Sequence, residues 1–271
     1  KPNINIIYLN KFNKGRISMR ICDYITLYRL AKFRLRSEED YRRFQRFQAS
    51  LILEYVHRFG INLKGKLVLD LGSGLGGYSQ EIADKEKAKV ISLDLIRPLW
   101  LLEQEICVLI ADALSIPLRD ESVDFVFCAS LIEHVSNPLV LLTEIKRVLR
   151  TGQYCYLSFP PFYSPRGGHE FSPFHYLGEK CALYLYRLFK KSHPGWVMKI
   201  YKPSLFPTSF ANTYQNWGLF KLTITKAVKM IKQVDLELID MSPRYVPVNT
   251  ARWPILGEFL TWHVQFLLKK R

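Results

Sequence analysis

Lys66-Leu67-Val68-Leu69-Asp70-Leu71-Gly72-Ser73-Gly74-Leu75-Gly76-Gly77 decides how this chain is read. The apolar run Leu67 to Leu71 suits a central parallel strand covered on both faces, and the glycines behind it suit a tight turn into a helix. Glycines let the backbone approach a ligand closely, and the free N–H groups of the helix start near Leu75 would point at it. The stretch is therefore a candidate nucleotide-cofactor seat. Gly72, Gly74 and Gly77 also satisfy the GxGxxG dinucleotide pattern, so the turn alone does not choose between cofactors.

Outward from the turn, strands alternate with helices. Strands are expected at 66–71, 89–93, 106–110, 123–128 and 153–159, and helices at 75–84, 98–104 and 138–150, the last capped by Asn137-Pro138 and closed by Thr151-Gly152. Such alternation specifies a parallel sheet with ligands beyond the carboxyl ends of its strands. Upstream, Ser37 and Asp40 begin a helix over 38–59 that Gly60 ends, preceded by a basic arm of little periodicity. Downstream, residues 160–217 are too long for a connection and are expected to form an insertion or lid. A helix at 218–232 and strands at 234–241 and 261–268 follow. The expected organisation is 1–60 arm and helix, 61–159 cofactor core, 160–217 insertion over the acceptor site, and 218–271 the end of the core.

The chain of 271 residues carries a net charge of +15, unevenly placed. Residues 1–48 hold twelve Lys/Arg against four acids, and residues 180–232 hold ten with no acid, whereas residues 61–160 hold ten against thirteen acids. Two basic, aromatic-rich attachments on a mildly acidic core point to an anionic partner: a phospholipid surface, a phosphorylated substrate or nucleic acid. Five scattered cysteines without CxxC spacing argue against a disulfide framework and a zinc site. Cys107, Cys128 and Cys155 read as small buried hydrophobes. No leader pattern and no apolar run of spanning length are seen, so a cytoplasmic protein, open to peripheral membrane contact, is expected.

Further motifs separate the cofactors. Asp94 ends the second strand, where a carboxylate can accept from both hydroxyls of an adenosine ribose. Asp112, in Ala111-Asp112-Ala113, is placed to accept from an adenine amino group. Ser130-Leu131-Ile132-Glu133-His134-Val135 follows the fourth strand, and Glu144-Ile145-Lys146-Arg147-Val148-Leu149-Arg150-Thr151-Gly152 leads into the fifth. With these motifs in order, the chain resembles a class I S-adenosylmethionine-dependent methyltransferase of the quinone-biosynthesis-like group, closely over 62–160 and more loosely over the last two strands. The resemblance implies an α/β Rossmann-like fold: a seven-stranded, mostly parallel sheet, helices on both faces and an antiparallel last strand.

The same resemblance implies that Asp70, Gly72, Ser73, Gly74 and Gly76 hold the methionine part of S-adenosylmethionine, Asp94 and Leu95 the ribose, Asp112 and Ala113 the adenine, and Ser130 and Leu131 the sulfonium side. S-adenosylhomocysteine would be the product. Candidate catalytic groups are His134 and, in the segment after the fifth strand, His169, Glu170 and His175; His57, His193 and His263 have no comparable context. No metal is expected. The relatives that carry one have a Glu three positions before the Glu-His pair, where this chain has Ser130. The expected activity is O-methylation of a small, lipid-linked or glycan acceptor, against an RNA methyltransferase or a non-catalytic cofactor-binding protein. Leu177, Cys181, Leu185 and Leu188, interleaved with Lys180, Arg187, Lys190 and Lys191, suggest a basic amphipathic helix able to lie on an anionic membrane.

Overall fold

A computed structural model describes residues 19–95, 106–189 and 218–271. Seven strands form one sheet in the order β3-β2-β1-β4-β5-β7-β6: β1 Leu67–Leu71, β2 Lys89–Asp94, β3 Cys107–Ile110, β4 Val123–Ala129, β5 Leu149–Phe159, β6 Leu236–Pro243 and β7 Val264–Lys270. β1 to β5 pair in parallel, and β7 enters antiparallel between β5 and β6. This is the sheet that the resemblance implies.

The central strands are apolar on both sides because both sides are covered. Leu69, Leu71, Val126, Cys128, Leu157 and Phe266 pack against α4 (Pro138–Val148) and α6 (Ile224–Gln233). On the other face Val68, Phe125, Phe127, Tyr156 and Leu267 meet α2 (Glu38–His57) and α3 (Gly77–Glu86). In α2, Ser37 Oγ accepts from the Asp40 N–H at 3.0 Å, and Ala49, Ile52, Tyr55 and Val56 form its buried stripe. In α4, the Asn137 side chain accepts from Val140 N–H with Pro138 in the first turn.

Several sequence expectations need correction. The arm contains a helix, α1 (Ile21–Phe33), whose apolar residues Ile21, Ile25 and Tyr28 are exposed, so no helical period marks it. Thr151-Gly152 does not close α4. The helix ends at Val148 and the chain passes straight into β5, where Gly152 (φ 79°) lies in a bulge between the Val123–Leu149 and Phe125–Tyr154 pairs. Cys107, on the edge strand, is exposed, while Cys128 and Cys155 are buried. The expected helix at 98–104 lies outside the described residues.

Beyond β5, the chain forms short helical turns at His169–Phe171 and Phe174–Leu177, then α5 (Glu179–Phe189). Ala182 and Leu183 bury against Phe162, Phe171 and Leu219, whereas Leu177, Cys181 and Leu188 are exposed. The packed face of α5 is thus displaced from the stripe read in the sequence, and Lys190 and Lys191 lie outside the described residues. A short helix, α7 (Leu256–Leu260), lies between β6 and β7. Among the described residues no helix is long and apolar enough to cross a membrane.

Candidate functional site

The β1–α3 turn is built for close approach. Gly72, Gly74 and Gly76 have φ of 72°, 55° and 75°, which L side chains adopt only with strain. A Cβ on Gly72 would lie 2.9 Å from Leu131 Cδ1, so the segment after β4 is packed directly onto the glycine turn. Gly74 N–H donates to Asp94 Oδ2 at 2.7 Å, Ser92 Oγ donates to Ser73 Oγ at 2.7 Å, and Gly77 N–H donates to Gln45 Oε1 at 3.2 Å. The turn is fixed from β2 and from α2 before any ligand arrives.

Asp70 is 1% exposed and accepts from Ser79 Oγ at 2.6 Å, tying β1 to the first turns of α3. Burial pushes its carboxyl up to about 7, with Asp94 adding to the rise. At the end of β3, Asp112 is exposed and accepts from the Leu114 N–H at 2.8 Å, and Ala113 is buried. Leu95 is half-exposed beside Asp94. Ser130, whose N–H donates to Ser158 O at 2.8 Å, has a left-handed φ of 57°. The glycine turn, Asp94, Asp112 and Ser130-Leu131 therefore border one another along the carboxyl edge of β3-β2-β1-β4. A glycine cradle with a carboxylate at the end of the next strand fits an adenosyl cofactor.

Beside this seat lies a buried polar cluster. Glu133 is 1% exposed and neither carboxylate oxygen has a hydrogen-bond partner. Burial lifts its pKa to about 7, opposed by His134. Its Oε1 is 3.9 Å from His134 Nε2 and 4.0 Å from His169 Nε2, and the two rings meet edge to face at 4.8 Å. His134 Nδ1 lies 2.8 Å from Gly218 O, which as a carbonyl can only accept; Nδ1 therefore carries the proton and Nε2 is left with a free lone pair. Phe220 N–H donates to Glu133 O at 2.9 Å, so residues 218–220 hold this turn from outside.

His169 takes a left-handed φ of 49°, and burial, with His134 and His175 adding, lowers its pKa to about 3. His175 is 3% exposed, neither ring nitrogen has a partner, and burial lowers its pKa. A Cβ on Gly168 would lie 2.4 Å from its ring, which explains the small residue there. Of the four sequence-nominated groups, His134 and His169, both partly exposed, meet at Glu133; the buried His175 stands next to His169, and Glu170 is exposed and stands apart. Glu133, His134 and His169 place three ligand atoms within 4.8 Å, a set of N and O donors that could hold a divalent ion. In the sequence Ser130 leaves the Glu-His pair without a nearby third ligand; in the fold His169 comes up to it from behind β5.

Two residues that sequence reasoning passed over belong to the same edge. His263, given no role, immediately precedes β7 and is buried with Nε2 unpartnered; burial holds its pKa well down, with Arg244 and His169 adding. Arg244, just past β6, is 1% exposed. The signal was present in the antiparallel last strand, whose first residues must lie at the edge where its parallel neighbours end. His57, by contrast, pairs with Glu86 at 2.9 Å near the amino end of the sheet, and His193 lies outside the described residues.

The strand order, the antiparallel β7 and the glycine turn at the end of β1 define a class I methyltransferase. The methyltransferase-domain family matches residues 69–157. An uncharacterized methyltransferase of Mycobacteroides abscessus is 30% identical over 84% of this chain and 88% of its own, and one of Mycobacterium avium is 32% identical over 78% and 79%. The chain belongs to this methyltransferase family. Its cofactor is S-adenosylmethionine and its product S-adenosylhomocysteine. Among solved structures, the geranyl diphosphate C-methyltransferase of Streptomyces coelicolor, in complex with Mg2+, geranyl diphosphate and S-adenosylhomocysteine, shares the fold with a TM-score of 0.54 at 12% identity, over 84% of this chain and 81% of that one. A putative sarcosine dimethylglycine methyltransferase of Galdieria sulphuraria does so with 0.52 at 16%, over 86% and 87%.

Proposed function

We propose that this methyltransferase methylates an oxygen of a small, lipid-linked or glycan acceptor, and that residues 160–217 form the insertion over the acceptor. The observation that carries the reading is the buried Glu133 with His134 and His169 against it, next to Leu131, which itself rests on Gly72. An alcohol or phenol needs help to lose its proton as it attacks a sulfonium methyl, and an acceptor of lower pKa does not. In this reading the glycine turn and Asp94 orient the donor, and Asp112 and Ala113 border its adenine. His134 Nε2 takes the hydroxyl proton, the Glu133 carboxylate stabilises the resulting imidazolium, and neutral His169 and His175 line the acceptor.

The basic attachments support a lipid-linked acceptor or an anionic surface. In α5 the exposed Tyr184, Leu188 and Phe189 share the helix with Lys180. Transfer of a labelled methyl group into cell-extract fractions tests the whole reading. Label in lipid or glycan, stable to mild alkali as an ether is, is the expected result. Label in RNA would transfer the activity to nucleic acid, and cofactor binding without label in any fraction would leave a binding protein.

A further inference from the structure

Arg244 is among the largest fully buried side chains of the protein, and none of its three guanidinium nitrogens has a hydrogen-bond partner among the described residues. Buried polar groups in folded proteins are nearly always paired, and a buried charge needs a counter-charge more than any other group does. The described residues do not provide one. Asp240, four residues earlier on β6, is already engaged by Tyr55 Oη at 2.8 Å, Ser242 Oγ at 2.9 Å and Arg252 at 3.4 Å. Arg244 is surrounded instead by phenols: its guanidinium carbon lies 5.1 Å from the centre of the Tyr245 ring, and Tyr78 and Tyr156 also face it.

The backbone around Arg244 is fixed. Its N–H donates to His263 O at 2.8 Å, so the ends of β6 and β7 are locked together at the carboxyl edge. Tyr245 is held by Gln48 Nε2 at 2.5 Å, and Gln48 Oε1 in turn accepts from Tyr78 Oη at 2.7 Å. His263, whose Nε2 is also buried and unpartnered, faces both Arg244 and His169. Tyr156 and Ser158 stand on β5, two strands from the glycine turn of β1, a separation of about 10 Å. Tyr78, next to Gly77 at the start of α3, faces Arg244 as well, so the cation lies between the glycine turn and the ends of β5 to β7.

We infer that Arg244 is the receptor for an oxyanion of the methyl acceptor, a carboxylate or a phosphate, bound in the two-pronged geometry that guanidinium favours, with Tyr78, Tyr156 and Tyr245 as aromatic walls. This inference rests on the methyltransferase reading and sharpens it: the acceptor is an acid whose anionic group is anchored at β6–β7 while its methylated atom reaches Glu133 and His134. Tyr245 Oη, which accepts from Gln48 Nε2, keeps its own proton for the same oxyanion, while Tyr78 and Tyr156 donate to Gln48 and Gln265 and serve as walls.

The test uses the full chain saturated with S-adenosylhomocysteine. Binding of benzoate, phenyl phosphate and the neutral benzamide is measured by titration calorimetry on the wild type, Arg244→Met and Arg244→Lys. The expected result is that at least one anion binds the wild type tenfold or more tightly than benzamide, that Arg244→Met abolishes this preference, and that Arg244→Lys retains part of it. S-adenosylhomocysteine affinity should stay within about twofold in both variants. Equal binding of anions and amide to the wild type overturns the inference without needing any variant, which covers an Arg244→Met protein that fails to fold. A preference that survives in Arg244→Met also overturns it, as does a tenfold loss of S-adenosylhomocysteine affinity, which would make the anion the cofactor's own carboxylate. Failure of the wild type to bind S-adenosylhomocysteine would strike the methyltransferase reading itself, a result separate from these.

Discussion

The Gly74 N–H donates to Asp94 Oδ2 at 2.7 Å, so the carboxylate that ends β2 is aimed by the very turn it adjoins. One contact both fixes the glycine loop and sets the direction of the acid. Replacing Asp94 by Asn puts an amide in place of a charge-assisted acceptor and loosens both. S-adenosylmethionine should bind at least tenfold more weakly, about 1.4 kcal/mol or more. Calorimetry on a variant with an unchanged melting curve checks this, and an unaltered affinity would remove Asp94 from the cofactor seat.

Gly72 meets two constraints that can be separated. Its φ of 72° costs a side chain about 1–3 kcal/mol wherever it occurs, and its Cβ direction is taken by Leu131. Gly72→Ala should therefore lower stability and cofactor affinity together. Adding Leu131→Ala should recover the steric part and leave the backbone part, as read by denaturant unfolding. Full recovery would show that the backbone conformation contributes nothing.

Glu133 sets a pH dependence with a definite sign. Its native pKa, about 7, lies above the ordinary carboxylate value, so the folded protein binds a proton there that the unfolded chain has already lost. The contribution to stability is complete below about pH 4 and declines as the pH rises to 7, then levels. Glu133→Gln lacks that decline. The stability of the variant relative to wild type should thus improve between pH 4 and pH 8, by up to about 3 kcal/mol. A difference that does not change with pH would mean that Glu133 titrates normally.

His169→Asn is chosen because asparagine tolerates the left-handed φ of 49° found there. Together with His175→Asn it should leave S-adenosylmethionine affinity within about twofold and lower turnover by up to about 100-fold, the scale of a misplaced acceptor, because the rings that line it are lost while His134 still takes the proton. Turnover near wild type would show that neither ring of the loop behind β5 lines the acceptor.

The seat around β1 was legible in the sequence because its determinants are local. Leu67 to Gly77 carries the strand, the turn and the helix start within a dozen residues, and the boundaries of β1 and α2 follow from apolar spacing and a capping serine. Other features depend on partners far along the chain. Thr151-Gly152 has the composition of a helix stop, and only pairing with β4 makes it a bulge. α1 lacked a readable stripe because its apolar residues remain exposed. His263 and Arg244 are ordinary residues in a proline-containing segment until β7 turns against its neighbours and brings the two together. Glu133 was visible as half of a Glu-His pair, but its isolation from any hydrogen-bond donor appears only in three dimensions.

The reversed course of β7 divides labour along the chain in a way that invites transplantation. Because β6 ends and β7 begins at the same rim, residues 244–263 form one continuous excursion across the far side of that rim, while the donor side is written between α2 and the turn after β4. An exchange of that single twenty-residue excursion between relatives would replace the anchor at the far rim while leaving the donor half unaltered. Divergence within such a family can then proceed through one contiguous cassette, leaving the machinery that handles the methyl group untouched.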